Sequence, residues 1–264
     1  MRKVPLLLVL FLCAHMSKGQ ILKVDKGSLL LDSSKITIGN LGLNFNIHNR
    51  SATAEEEITF VGLTATSDVV YLSKKHAYIS INNVHYNKAT GGPLSSNGYS
   101  HLRTNFLRKQ KFSYESFLQV QYDDGRNMPF RFLIGGGLRL RVLESAGTNV
   151  HLGLGAMQEM ERWKSFVDND PIIEKNILKT SDYIGITTKL SEQVNFHLIA
   201  YYQGGMDTQA DVFRNRISGD FQLQVMITDR LSMTTSFSCQ YEDKPIIPIK
   251  KTVYSVTNGL LWRF

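Results

Sequence analysis

Thr257-Asn258-Gly259-Leu260-Leu261-Trp262-Arg263-Phe264 ends the chain on an alternating strand: a polar residue, a glycine two places on, and aromatics at the third-last and last positions. The pattern resembles the carboxy-terminal signal by which outer-membrane β-barrels are recognised for insertion, and Thr257, Gly259, Trp262 and Phe264 are the residues that would carry it. Working back from there, the same period of two recurs. Leu231, Met233, Thr235, Phe237, Cys239 and Tyr241 alternate with Ser232, Thr234, Ser236, Ser238 and Gln240. Successive side chains of a strand point to opposite faces, so one face of this segment is mostly apolar and the other polar.

The preceding segment repeats the arrangement, with Ile217, Phe221, Leu223, Val225 and Ile227 against Arg216, Ser218, Asp220, Gln222 and Gln224, and a tight turn at Thr228, Asp229 and Arg230 between the two. Upstream, Phe130, Phe132, Ile134, Leu138, Leu140 and Val142 alternate with Arg131, Arg139 and Arg141, and Phe112, Tyr114, Leu118, Val120 and Tyr122 with Ser113, Glu115, Gln119 and Gln121. Counting back from Phe264 gives twelve strands, near 251–264, 231–242, 216–228, 193–203, 179–190, 149–161, 129–143, 112–123, 98–108, 76–87, 56–72 and 36–49, with ten as the alternative count. Short connections fall around Asp229, Glu192, Ala146, Gln110 and Lys75; longer ones fall near 162–178, 204–215, 243–250 and 88–97. A carboxy terminus on the periplasmic side puts every short connection there and every long one outside. The expected fold is therefore all-β, a transmembrane antiparallel up-and-down β-barrel of about twelve strands.

Composition agrees. Arg2 and Lys3, an apolar run from Val4 to Ala14, and Ser17 and Gly19 before Gln20 read as a secretory signal peptide over 1–19, leaving 20–264 as one barrel domain. That apolar run is shorter than the roughly 20 residues a spanning helix needs, and charged or strongly polar residues interrupt every later one. A mean hydropathy of −0.16 is what alternation produces. Leu12 stands where a lipoprotein signal wants a small residue, which argues against lipidation at Cys13; Cys239 would remain alone, with no intrachain disulfide. Loss of Arg2, Lys3 and Lys18 lowers the formal charge from +7 to +4, and the remaining basic residues are scattered along strands, so nucleic acid is not an expected partner. A soluble secreted β-barrel shares the periodicity but would turn its apolar face inward. Long strands, and aromatics at strand ends such as Tyr71, Tyr122, Tyr241, Trp262 and Phe264, favour the membrane form.

The inward face carries the chemistry. Arg139 and Arg141 share a wall with His151, Glu159 and Glu161 lie further outward, Arg131 is level with Glu161, and Glu115 is diagonal to Arg103 and Arg139. Arg103, Glu115, Arg131, Arg139, Arg141, Glu159 and Glu161 are accordingly the expected lumen charge network. It reads as structural ion pairs that partly plug the lumen, with a basic constriction selecting acidic solutes as the alternative. Exchanging the charges of Arg131 and Glu161 should then leave a pair intact. Gly135, Gly137, Gly153 and Gly155 also face inward, permitting strand coiling or leaving a notch. His101, His151 and His197 lack metal-motif spacing, so neither metal nor cofactor is expected. An outer-membrane lipid hydrolase would need an outward serine and histidine pair, and none is evident; no catalytic residue is assigned. The segment from Trp163 to Lys179, with Asp168, Asp170, Pro171 and Glu174, is the longest candidate loop.

The run from His101, Leu102 and Arg103 through Ser113, Tyr114, Glu115, Phe117, Gln119, Gln121 and Tyr122, then Arg131, Leu133, Ile134, Gly135, Gly137, Leu138 and Arg139, and on to Gly153, Gly155, Met157, Glu159 and Glu161 resembles the salt-induced outer-membrane protein family, whose function is unknown. The resemblance is clearest over 98–163. It implies a barrel in the outer membrane of a Gram-negative bacterium and carries no substrate or catalytic residues. Function is expected to be non-enzymatic: a narrow solute channel, or an accessory or structural subunit of an outer-membrane complex. Its expected partners are outer-membrane lipid, the barrel-insertion machinery and other outer-membrane proteins.

Overall fold

The computed structural model describes residues 35–51, 57–166 and 172–262. The expected signal peptide, Phe264, and the loop residues Asp168, Asp170 and Pro171 lie outside the described residues. The rest is thirteen strands in one antiparallel sheet: β1 (Ile36–Ser51), β2 (Glu57–Leu72), β3 (Ala77–Ala89), β4 (Gly92–Phe106), β5 (Phe112–Asp123), β6 (Met128–Ser145), β7 (Thr148–Trp163), β8 (Ile173–Thr180), β9 (Asp182–Lys189), β10 (Val194–Asp207), β11 (Val212–Met226), β12 (Leu231–Glu242) and β13 (Thr252–Trp262). Neighbours in sequence are neighbours in space, as in an up-and-down meander.

β8 and β9 share one place in the sheet. Ala156 pairs with Thr180 and Gly153 with Tyr183, a single unbroken register along β7, and the same holds along β10. The interruption is Ser181, flanked by places where side chains take over from the ladder: Asp182 Oδ1 accepts from the Gly155 N–H (3.3 Å) and Thr180 Oγ1 from the Gly204 N–H (3.2 Å). Thirteen segments therefore fill twelve positions.

Several expected boundaries are corrected. The strand placed at 179–190 begins six residues earlier, at Ile173, so Glu174 is a strand residue ion-paired to Arg162 at 2.8 Å and not part of a loop. The long connection expected at 88–97 is a tight turn at Thr90 and Gly91, and that expected at 204–215 spans only 208–211. The cause is common to all three: hairpins continue past the level where apolar alternation stops, held by backbone hydrogen bonds that leave no mark in the side-chain pattern.

The sheet curls on itself. Arg103 on β4 and Tyr201 on β10 are five strand spacings apart, about 24 Å if the sheet were flat. The Arg103 Nη2 nevertheless lies 3.4 Å from the Tyr201 hydroxyl. Among the described residues β1 and β13 are the two edges of the sheet. Along β7 the burial alternates residue by residue: His151, Gly153, Met157, Glu159, Glu161 and Trp163 are buried, whereas Leu152, Leu154, Met160 and Arg162 are exposed. The inside is thus polar for most of its length and the outside apolar, with Leu154 66% and Leu178 66% exposed. At the end where β2 turns into β3, the inward residues are apolar: Val70, Leu72, Ala77, Ile79 and Ile81 pack with Tyr99.

Candidate functional site

Two layers of charge cross the interior. In the outer layer Arg216, projecting from β11, donates to three glutamates on two walls: Nη1 to Glu159 (2.5 Å), Nη2 to Glu161 (2.9 Å) and Nε to Glu242 (3.0 Å). Arg131 on β6 shares the first two, with Nη2 at 2.5 Å from Glu159 and Nε at 3.1 Å from Glu161. Lys179 on β8 completes the set around Glu159. Arg126, in the short 3-10 turn before β6, reaches Glu242 at 3.1 Å. Both carboxylates of β7 are almost wholly buried, Glu159 at 1% exposure. A charge removed from water this completely is tolerable only when paired and hydrogen-bonded. The Trp163 indole N–H adds a further hydrogen bond to Glu161 (3.1 Å).

The inner layer is built on Glu115 of β5. Arg103 and Arg139 stand 3.8 and 3.7 Å from it, and the Tyr183 hydroxyl donates to it at 2.8 Å. Asn105 lies between Glu115 and Arg139; with its nitrogen toward the carboxylate (3.0 Å) and its oxygen toward the guanidinium (3.3 Å), both polarities are satisfied. The Arg103 guanidinium is held over the rings of Phe117 (5.7 Å) and Tyr183 (5.8 Å), where a cation meets the negative face of an aromatic. Gly153 explains how Tyr183 enters. A Cβ there would stand 1.9 Å from Tyr183 Cε1, so the missing side chain is the slot the ring occupies. The glycine notch is filled from within.

Segment 243–251, which joins β12 to β13, folds across one end of this interior. Ile247, between Pro245 and Pro248, is 3% exposed and packs on Met128 and Trp163, at the start of β6 and the end of β7, with Ile173, Ile246 and Ile249 around it. Its base is clipped to β11. The Asn215 backbone N–H and side-chain amide donate to the two oxygens of Asp243 (2.8 and 2.7 Å), and Arg214 donates to the Lys244 carbonyl. Burial pushes the Asp243 carboxyl up, but these hydrogen bonds outweigh it and hold the group below the usual carboxylate range. This strap was expected only as an outer connection. The signal that points to it is an apolar Ile-Ile pair between two prolines, which needs a surface to cover.

A cavity of about 430 Å³ reaches both layers: Arg103 of the inner layer and Arg131 and Arg216 of the outer line it, with residues of β3 to β7 and β10 to β13. Of the expected network, Arg103, Glu115 and Arg139 gather in the inner layer and Arg131, Glu159 and Glu161 in the outer. Arg141 stands apart near the β6–β7 turn, paired with Glu144 and donating to the Arg108 carbonyl (3.1 Å). Each of these arginines meets a carboxylate, so no bare basic ring forms among the described residues. Arg216, Lys179, Glu242 and Tyr183 complete the layers without having been expected there. His101 and His151 are buried at different levels, and among the described residues no group of His, Cys, Asp or Glu is placed to hold a metal. Thr257, Gly259 and Trp262 lie on β13, with Trp262 53% exposed.

No curated protein matches the sequence. A solved structure of the NanC porin, in a rhombohedral crystal form, aligns with 84% of this chain and 100% of its own at 10% sequence identity and a TM-score of 0.44. The model of the family described as proteins of unknown function, DUF481, matches residues 61–264, and the chain belongs to that family.

Proposed function

We propose that this chain is a non-enzymatic barrel of the bacterial outer membrane that passes small solutes through a narrow lumen walled by ion pairs. The observation that carries the reading is the inversion of the wall: among the described residues every strand but β9 turns at least one large apolar or tyrosine side chain outward and exposed, while arginine, glutamate and glutamine stand inward. Apolar surface on that scale is unfavourable in water and is what a lipid-facing band requires. In hydrocarbon every backbone polar group must be paired, so the proposal includes closure of β1 onto β13. The terminal pattern at Thr257, Gly259, Trp262 and Phe264, the leader-like residues 1–19, and the resemblance to the salt-induced outer-membrane family support the same location, with membrane lipid and the insertion machinery as partners.

The test is single-channel conductance of the refolded protein in a planar bilayer, with a reversal potential measured across a salt gradient. Steady, small openings of weak anion selectivity are expected, because carboxylates offset all but a small excess of the lumen cations. A folded, heat-modifiable barrel without conductance would refute the channel. It would favour the second reading, an accessory subunit of an outer-membrane complex, for which the strap packed over the mouth speaks.

A further inference from the structure

The cavity wall contains a chain of hydrogen bonds whose polarity is fixed at one end. Arg131 can only donate, so the Gln121 oxygen faces its Nη1 (3.2 Å). The same oxygen accepts from Gln119 Nε2 (2.9 Å), which turns the Gln119 oxygen toward His101 Nδ1, 2.9 Å away. An amide oxygen cannot donate, so Nδ1 carries the proton and, in the neutral ring, Nε2 is a lone-pair acceptor. That atom is buried, on a residue 5% exposed, and has no hydrogen-bond partner among the described residues. Gln203 Oε1, on the opposite wall, is a second buried acceptor in the same state, and Arg103 Nε a buried donor. All three residues line the cavity, together with the rings of Phe117, Tyr99 and Tyr201.

From this we infer that the cavity is a binding site for a small uncharged hydroxylated solute of the carbohydrate class. Hydroxyls donate and accept, so one solute can donate to His101 Nε2 and Gln203 Oε1 and accept from Arg103, with its C–H face against Phe117. An inorganic anion lacks the donors that both acceptors need, a sugar acid would bring its carboxylate to arginines already held by glutamates, and a cation would meet Arg103 and Arg131. The volume of about 430 Å³ falls within the range of small-molecule sites. The inference deepens the channel reading and depends on it for the solute's route, though not for the site.

The test is calorimetric titration of the protein refolded in detergent micelles with methyl β-glucoside, glucuronate and choline, alongside swelling of liposomes carrying the protein. Saturable one-to-one binding of the glucoside is expected, at least tenfold tighter than either charged probe. His101→Phe keeps the aromatic stack and removes the acceptor; Gln203→Leu removes the second acceptor. Each should weaken binding by about tenfold, the effect of one buried group left unpaired. Heat-modifiable migration checks that each variant is folded, and if one fails to fold the other decides. A folded wild type that does not bind, glucuronate binding as tightly as glucoside, or folded variants that bind like wild type would overturn the site. Swelling without saturable binding removes the site and leaves the channel; binding without swelling removes the channel and leaves the site.

Discussion

Replacing Glu159 with Gln tests whether the outer charge layer is desolvated. Four cations, Arg126, Arg131, Arg216 and Lys179, share three carboxylates, Glu159, Glu161 and Glu242. Glu159 contacts three of the four. Its neutralisation leaves Arg131 and Arg216 with Glu161, and Arg216 also with Glu242, but removes from Lys179 the one carboxylate within ion-pair distance among the described residues. Lys179 is itself 4% exposed, so its ammonium would be left buried and unpaired. Removing one partner of a buried pair costs about 3–5 kcal/mol. The assay is guanidinium unfolding of the refolded barrel in micelles, read by tryptophan fluorescence. Adding Lys179→Met to Glu159→Gln should recover more of the loss than adding Arg216→Met, because only the lysine is stranded; the couplings should fall in the range of about 0.5–3 kcal/mol. A Glu159→Gln protein within about 0.5 kcal/mol of wild type, as for an ordinary surface substitution, would refute the reasoning and mean that water fills this level of the lumen.

Exchanging Arg131 and Glu161 should not restore stability: an Arg131→Glu carboxylate would face Glu159, and a Glu161→Arg guanidinium would face Arg216, so the double variant should unfold at lower guanidinium than wild type in the same assay. Gly153→Ala forces the Tyr183 ring from its slot and from Glu115, and should cost about 1–3 kcal/mol in that titration. Ile247→Asp should release the strap and raise single-channel conductance without loss of heat-modifiable migration. Acid should act similarly: with its carboxyl lowered in the folded protein, Asp243 contributes stability above the ordinary carboxylate range and loses it as the pH falls below about 4, so conductance should rise there and recover on neutralisation. Deleting Phe264 should lower the amount of protein recovered in the outer-membrane fraction, measured by fractionation and immunoblot.

What the sequence discloses is what a strand encodes locally. Period two assigns each residue to a face, and turn position assigns its neighbour across the hairpin. Arg131 therefore stands opposite Glu161, and Glu115 sits diagonal to Arg139, by counting alone. Two kinds of feature escape that logic. One is where strands end: Glu174, Lys175 and Asn176 are polar on both faces, so β8 shows no alternation although its backbone pairs with β7 down to Ile173. The other is distance across the lumen. Arg216 is legible as inward, but its contacts with Glu159 and Glu161 depend on how tightly the sheet curls, a property of the whole wall and not of any segment.

That second failure changes the chemistry. Read strand by strand, Arg131, Arg139 and Arg141 look like a basic lining, and a basic lining argues for acidic solutes. With the wall curled, the contribution of each arginine depends on what faces it. Arg131 and Arg216 are held by Glu159 and Glu161, and Arg139 and Arg103 by Glu115. A paired guanidinium still fixes the direction of the hydrogen bonds around it, but it offers little net field to a passing ion. The lining between the layers is polar with only a small positive excess, since four cations meet three carboxylates in the outer layer and Arg103 and Arg139 meet Glu115 in the inner: Gln119 and Gln121 are oriented by Arg131, and His101 by Gln119. On the proposed reading the arginines would act on solutes at second hand, through the amides they align, and selection by hydroxyl geometry is what would separate this lumen from a charged filter.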